Sequence, residues 1–466
     1  MRRLHRLLVA LAGLGLVSCA TPQPRPPAVP PGAAGPFTLS GADVTSAPPP
    51  GDWWRLFDDP RLDAHVRQAL AANADLRVAY ANLEAARAEA GLAQAARWPA
   101  TVVESGAGPD RADRQPSTSG VPKTSYELGA TFSFEIDLYG RLKAAALAAN
   151  AEAAAVSAAR DGVRLAVAAD TTAAWIDLCA SGARLRLARE LLAAQQRSYD
   201  LVGEQLRAGE VSPLEQAQSA VLRDQAAAAI PGVEADQRRA QLRLAALEGL
   251  PPAGATAACD TLPAIRQPLP VGDGAVLIAR RPDLRAAERR LEAADARAFA
   301  ARADLFPKIQ LGGSGGLIGG GTDAILTPLI TWTFPNQAAP RARVASARAR
   351  AEGARAEWDR ALLKALEEVE AGLSDYSAER LRQAGLRQAE AESLRVVTRA
   401  RARHRLGAES YLAVLDAERT RNAATAQRLA ADVRISQLQV ALFRSLGGGW
   451  AGPDDRKGQT SPPAFH

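Results

Sequence analysis

The chain has 466 residues, 57 Lys and Arg against 51 Asp and Glu, a formal net charge of +6, and only 5% aromatic residues. Length alone allows two or three domains. Its charges are scattered without basic runs interleaved with aromatics, which excludes a nucleic-acid-binding stripe, and the Ala- and Arg-rich mixture favours long amphipathic helices over a compact aromatic core.

Arg2, Arg3 and Arg6 precede an apolar stretch, Leu7 to Val17, that is too short for a permanent transmembrane helix, so residues 1–18 read as a signal peptide. It closes on Leu16-Val17-Ser18-Cys19, which resembles the bacterial lipobox and makes Cys19 the expected lipidation site. Ala20 rather than Asp follows, which in lipoproteins of this kind points to the outer membrane. Residues 19–50 are rich in Pro, Gly, Ala and Ser and are expected to form an extended lipid-anchored tether. Beyond Val17 no run of eighteen apolar residues occurs, so a mature chain that crosses a membrane must do so with strands.

The rest of the chain is a duplication. Asp75-Leu76-Arg77 opens a helical stretch closing at Trp98-Pro99, and Asp283-Leu284-Arg285 opens one closing at Phe306-Pro307, at an offset of 208 residues. Farther on, Gly209 to Gly249 and Gly407 to Gly447 are matching 40-residue intervals at an offset of 198, so about ten residues were lost between, mostly after Pro307. The expected domains are a first repeat, 51–258, a second, 259–449, and a flexible tail, 450–466. Each repeat reads as helix, strand pair, long helix, turn, long helix.

In the first strand pair, Tyr126, Leu128, Ala130, Phe132, Phe134, Ile136 and Leu138 alternate with polar, acidic or small residues, the period of a strand with lipid on one side and water on the other. The counterpart face in the second copy is Leu326, Pro328, Ile330, Trp332 and Phe334. Four strands per chain are too few to close a barrel, and an open edge cannot face lipid, so several chains must combine; three would supply twelve strands. Gly312-Gly313-Ser314-Gly315-Gly316 and Gly319-Gly320-Gly321 lack the Lys-Ser/Thr of a phosphate loop and read as the end and turn of the second strand pair.

A continuous helix from Leu142 to Ala208 would be roughly 100 Å long, the dimension of a helical tube. Leu185, Ala188, Leu192, Gln195, Tyr199, Val202 and Leu206 recur at heptad spacing, and Leu412, Leu415, Arg419, Asn422, Ala426, Leu429, Val433, Ser436, Val440 and Phe443 are expected to form the matching seam. The turns at Arg207, Gly209 and at Arg405, Gly407 are the points farthest from the strands. Leu412, Asp416 and Arg419 share one helix face, and the plain reading of Asp416 with Arg419 is an i to i+3 ion pair. Cys179 and Cys259 are close enough along the hairpin for either a disulfide or two free thiols in an oxidising compartment. His5, His65, His404 and His466 are scattered, so neither a metal cluster nor a catalytic set is indicated, and an enzyme with a cofactor is not expected.

Trp53-Trp54, Phe57-Asp58-Asp59-Pro60-Arg61-Leu62, Asn73-Ala74-Asp75-Leu76, Asp137-Leu138-Tyr139-Gly140-Arg141 and Arg280-Arg281-Pro282-Asp283-Leu284-Arg285 together resemble the TolC-like outer-membrane efflux proteins, over about Gly51 to Gly449. The resemblance implies a mainly α fold with a small β part: a homotrimer whose twelve-stranded barrel lies in outer-membrane lipid and continues into a periplasmic α-helical barrel. It further implies an exit channel for small toxic compounds, partnered by a periplasmic adaptor protein and an inner-membrane RND-type pump. It places the adaptor at the two glycine turns and a periplasmic gate at Leu412, Asp416 and Arg419. One departure is Phe334-Pro335-Asn336-Gln337-Ala338-Ala339-Pro340, where the family carries a glycine-rich corner; its prolines force extended geometry, so the last strand is expected to end early. An exit duct for type I protein secretion would share this fold, whereas a periplasmic coiled-coil adaptor or scaffold would have one hairpin and no lipid-facing strands. No substrate is legible.

Overall fold

The computed structural model describes residues 26–38, 41, 43–109, 124–318 and 321–448. The expected signal peptide 1–18, the lipidation site Cys19 and the tail 450–466 lie outside the described residues. After a short strand β1 (Val44–Thr45) come helices α1 (Pro60–Ala72) and α2 (Ala74–Ala95), strands β2 (Ala100–Pro109) and β3 (Thr124–Ile136), and helices α3 (Arg141–Arg207) and α4 (Pro213–Leu247). The second copy follows β4 (Leu269–Pro270) with α5 (Gly274–Arg280), α6 (Pro282–Ala303), β5 (Lys308–Ile318), β6 (Gly321–Thr331), α7 (Ala338–Arg405) and α8 (Tyr411–Ser445). Helices α2 and α6 both have 22 residues, α3 and α7 have 67 and 68, and α4 and α8 both have 35. The two copies therefore agree element by element, and the shortening of the second falls between Ala303 and Ala338, where the strand pair lies.

The chain forms two compact units, each taking corresponding parts of both repeats: one is built chiefly from Ala81–Ala158 with Leu284–Ala361, the other from Val29–Tyr80, Ala159–Asp283 and the segment from Leu362 onward. In the first unit the strands form a sheet ordered β2-β3-β5-β6, antiparallel throughout. Register sets Val103 opposite Ala130, Phe134 opposite Leu311, Ile136 opposite Ile309, and Leu311 opposite Pro328. Because side chains alternate, these residues share one face, with Phe132, Leu326 and Ile330. Glu104, Thr131, Ser133, Glu135, Gln310 and Thr327 occupy the other. Strand β6 ends at Thr331, so Trp332 and Phe334 lie beyond it rather than in it, before the cis Phe334–Pro335 bond. The glycine run Gly312–Gly316 is the middle of β5, not its end, which corrects the sequence reading. Its reason is space: a Cβ on Gly316 would stand 2.6 Å from the Leu128 carbonyl oxygen.

In the second unit Trp53 is fully buried, its ring stacked on Phe443 at 5.0 Å, and Phe57, Leu62, Val66, Leu244, Leu269 and Leu277 are buried in the same unit. The 26–50 segment is not a free tether over its full length. Leu269 and Val271 donate backbone hydrogen bonds to Asp43 and Thr45, β1 pairs in parallel with β4, and Arg380 holds Asp43 at 2.9 Å. A proline-rich composition reads as disorder, yet here the segment's carbonyls are satisfied by the inter-repeat connector.

Candidate channel elements

All four hairpin helices end in the same way. Gly209, Gly249, Gly407 and Gly447 have φ between +69° and +77°, the left-handed region where only glycine is free of strain. At the first, Gly209 donates to Leu206 O and Glu210 to Gln205 O; at the third, Gly407 donates to His404 O and Ala408 to Arg403 O. These bond pairs are Schellman caps, which satisfy the last carbonyls of α3 and α7. The environments then diverge. A Cβ on Gly209 or Gly407 would meet nothing within 4 Å, whereas one on Gly249 would meet Ala72 O at 2.8 Å and one on Gly447 would meet Arg281 Cα at 3.1 Å. At that packed end Asn73 donates to Leu247 O and Arg281 to Ser445 O, both at 2.9 Å, so matching residues of the two repeats tie off matching helix ends. Arg281 also pairs with Asp283 and Glu368; although burial opposes its charge, those carboxylates hold its guanidinium above the ordinary value.

The open turns are drawn together by a small apolar cluster of Val202 on α3 with Tyr411, Val414 and Leu415 on α8, packed by Val211, Leu222 and Ala400. The Tyr411 hydroxyl is hydrogen-bonded to Ser198, and burial pushes its phenol above the usual range. Arg401 pairs with the nearly buried Glu418 at 2.6 Å, and Arg403 with Glu409 at 3.1 Å. The seam of α3 is as the heptads require, with none of its seven residues exposed. That of α8 is shifted near the turn: Tyr411, Val414, Leu415 and Glu418 are buried, while Leu412 (53% exposed) and Arg419 face away. Leu412, Asp416 and Arg419 thus form a face of the helix left uncovered within one chain, and no ion pair joins Asp416 to Arg419 among the described residues. Arg207 donates to Gly203 O within its own helix, and Arg405 is exposed. Sequence reasoning passed over two residues here: Leu406 (83% exposed) and Leu214 present apolar side chains at the open turns. Their only signal was apolar character beside a glycine turn.

Cys179 on α3 and Cys259 in the connector are joined in a disulfide. The connector crosses α3 so closely that a Cβ on Gly182 would stand 1.9 Å from the Cys259 carbonyl oxygen. Nearby, Asp59 caps α1 by accepting from the Arg61 backbone N–H and also accepts from Trp175 Nε1. Burial would raise its carboxyl, but these donors and the Arg61 guanidinium outweigh it and hold the group below the usual carboxylate range. Among the described residues no group of His, Cys, Asp and Glu is placed to hold a metal ion, and no helix is long and apolar enough to cross a membrane.

Paired helical hairpins with matched caps and a sheet with one predominantly apolar face and one mixed face, where Val102, Ile325 and Leu329 lie among the polar residues, are the architecture of an outer-membrane channel protein. The chain belongs to the outer membrane efflux protein family, whose model matches residues 65–250 and 275–448, once in each repeat. It is 32% identical to the pyoverdine export outer membrane protein OpmQ of Pseudomonas putida over 96% of this chain and 97% of that one. It is 31% identical to the probable outer membrane lipoprotein SilC of Salmonella typhimurium, covering 94% of this chain and 96% of the other. Among solved structures, the outer-membrane channel OprN superposes with a TM-score of 0.82 at 31% identity, covering 92% of this chain and all of OprN. The protein is an outer-membrane channel of the efflux type, located in the outer membrane with its helical part in the periplasm.

Proposed function

We propose that three copies close into one duct, with a twelve-stranded barrel in the outer membrane and a periplasmic helical barrel, anchored through a lipidated Cys19. The observation that carries this is the sheet itself: β2 and β6 have no partner along their outer edges among the described residues, and one face is predominantly apolar across β3, β5 and β6, with Val103 contributed by β2. Unpaired backbone donors and acceptors are costly in lipid, and pairing β2 of one copy with β6 of the next removes every edge. The mature chain then has the repeat 51–258 and the repeat 259–449 contributing alternately around the ring.

The duct conducts passively what an inner-membrane RND-type pump delivers through a periplasmic adaptor. The adaptor docks on the open turns at Arg207 and Gly209 and at Arg405 and Gly407, where Leu214 and Leu406 supply exposed apolar surface. The uncovered face of Leu412, Asp416 and Arg419 converges on the threefold axis as the periplasmic gate, with a ring of three carboxylates favouring cations. The assembly is tested on protein purified from membranes in mild detergent. Chemical cross-linking is expected to end at a trimer band, and without cross-linker an SDS-resistant trimer is expected to collapse to monomer on boiling; a ladder ending at one or two chains would overturn the assembly.

A further inference from the structure

The helix-proximal end of the sheet carries two belts that the channel reading does not use. The first is aromatic. Trp98 (74% exposed), Tyr139, Phe306, Trp332 and Phe334 are all exposed, and all lie within four residues of a strand end; Tyr139 stacks on Phe306 at 4.6 Å and Trp332 on Phe334 at 4.8 Å. Exposed aromatic rings at one end of a lipid-facing sheet mark the level of the headgroups.

The second belt is basic and lies just on the helix side. Arg97 follows the end of α2, Arg302 is in the last turn of α6, and Arg341 and Arg343 are in the first two turns of α7; all four are exposed. None of the four forms an ion pair among the described residues, and Arg97 reaches only the neutral Gln94. The acids at this level are already engaged. Glu135 is held by Arg141 at 2.7 Å, Asp304 by Lys308 at 2.9 Å, and Asp137 accepts from the Lys143 backbone N–H at 2.8 Å. The level is therefore left with unneutralised guanidinium groups one helical turn from the headgroups, within a Debye length of about 8 Å.

We propose that Arg97, Arg302, Arg341 and Arg343 form a collar that binds the phosphates of anionic phospholipids in the periplasmic leaflet. Charge complementarity selects the occupant: exposed arginines without carboxylate partners, directly beside an aromatic belt, match an acidic diester at the same depth, which guanidinium holds with two parallel hydrogen bonds. The collar seats the duct at a fixed height in the membrane. It rests on the reading of the sheet as the lipid-facing segment.

The test is lipid retention by the full chain extracted from membranes, with bound lipid identified by native mass spectrometry, followed by reinsertion into vesicles of phosphatidylethanolamine with or without phosphatidylglycerol. The unaltered protein is expected to retain phosphatidylglycerol or cardiolipin above their share of the membrane. Changing all four arginines to Gln should reduce that retention at least tenfold, since each contributes about a fivefold preference at a membrane surface; the four Arg→Lys changes should largely preserve it. Bound lipid that mirrors the bulk membrane, retention unaffected by Gln, or enrichment of lipopolysaccharide instead would overturn the collar while leaving the channel reading intact. A chain that enters no vesicle would overturn both.

Discussion

Gly182 and the Cys179–Cys259 pair act as one feature: the missing side chain lets the connector lie on α3, and the disulfide fixes it there. The bridge closes a loop of sequence separation 80, and cross-linking a loop of that length stabilises by about 4 kcal/mol in the chain-entropy model. Replacing both cysteines with Ser is expected to lower the midpoint of thermal unfolding, and Gly182→Ala to lower the yield of the bridged form, read from gel mobility with and without reductant. Unchanged melting and mobility in both variants would show the bridge to be dispensable. At the proposed gate, the face of Leu412, Asp416 and Arg419 is exposed within its own chain, so substitutions there are expected to act on the duct rather than on folding. Asp416→Ala with Arg419→Ala should raise single-channel conductance in planar bilayers at unchanged thermal stability; equal conductance would remove these residues from the gate. The sequence made this face visible through spacing alone, but it misassigned Leu412 and Arg419 to the buried seam. The correction comes from Tyr411, whose ring packs with Val202 and whose hydroxyl reaches Ser198, turning α8 so that the neighbouring positions face outward.

Among the elements, the strands give the sharpest discrimination. Leu326 (67% exposed) and Thr327 are adjacent on β6, both uncovered in one chain, but register puts Leu326 on the predominantly apolar face and Thr327 on the opposite face, with Gln310 and Glu135. An arginine on the lipid side of a barrel strand costs about 2–4 kcal/mol at midplane, whereas the lumen side tolerates it. Leu326→Arg should therefore cut the amount of heat-modifiable protein in outer-membrane fractions severalfold, and Thr327→Arg should leave it near the unaltered level. Equal losses would mean that the faces are assigned wrongly. The alternation behind this was readable because it is local and has period two. The strand limits were less so, since Pro335 announced an early end without fixing it at Thr331, and a glycine run that normally weakens a strand proved to be the centre of one, where β3 approaches closely. Helix α4 likewise continues through Pro231, against the rule that proline ends a helix.

For the molecule as a whole, the duplication was the most legible property, because two offsets and four glycines carry it without any tertiary information. What composition concealed was the course of the N-terminal segment. Its prolines argue for a loose tether, yet Asp43 and Thr45 are bonded to the connector between the repeats and Asp43 also to Arg380 on α7. That connector is also the segment that Cys259 fastens. Thiols remain reduced in the cytosol and pair in the periplasm, so the connector stays loose during synthesis and is secured only after export. The bridge thus acts as a clock: the chain can remain threadable while it is being translocated, and it gains this constraint only in the compartment where it works.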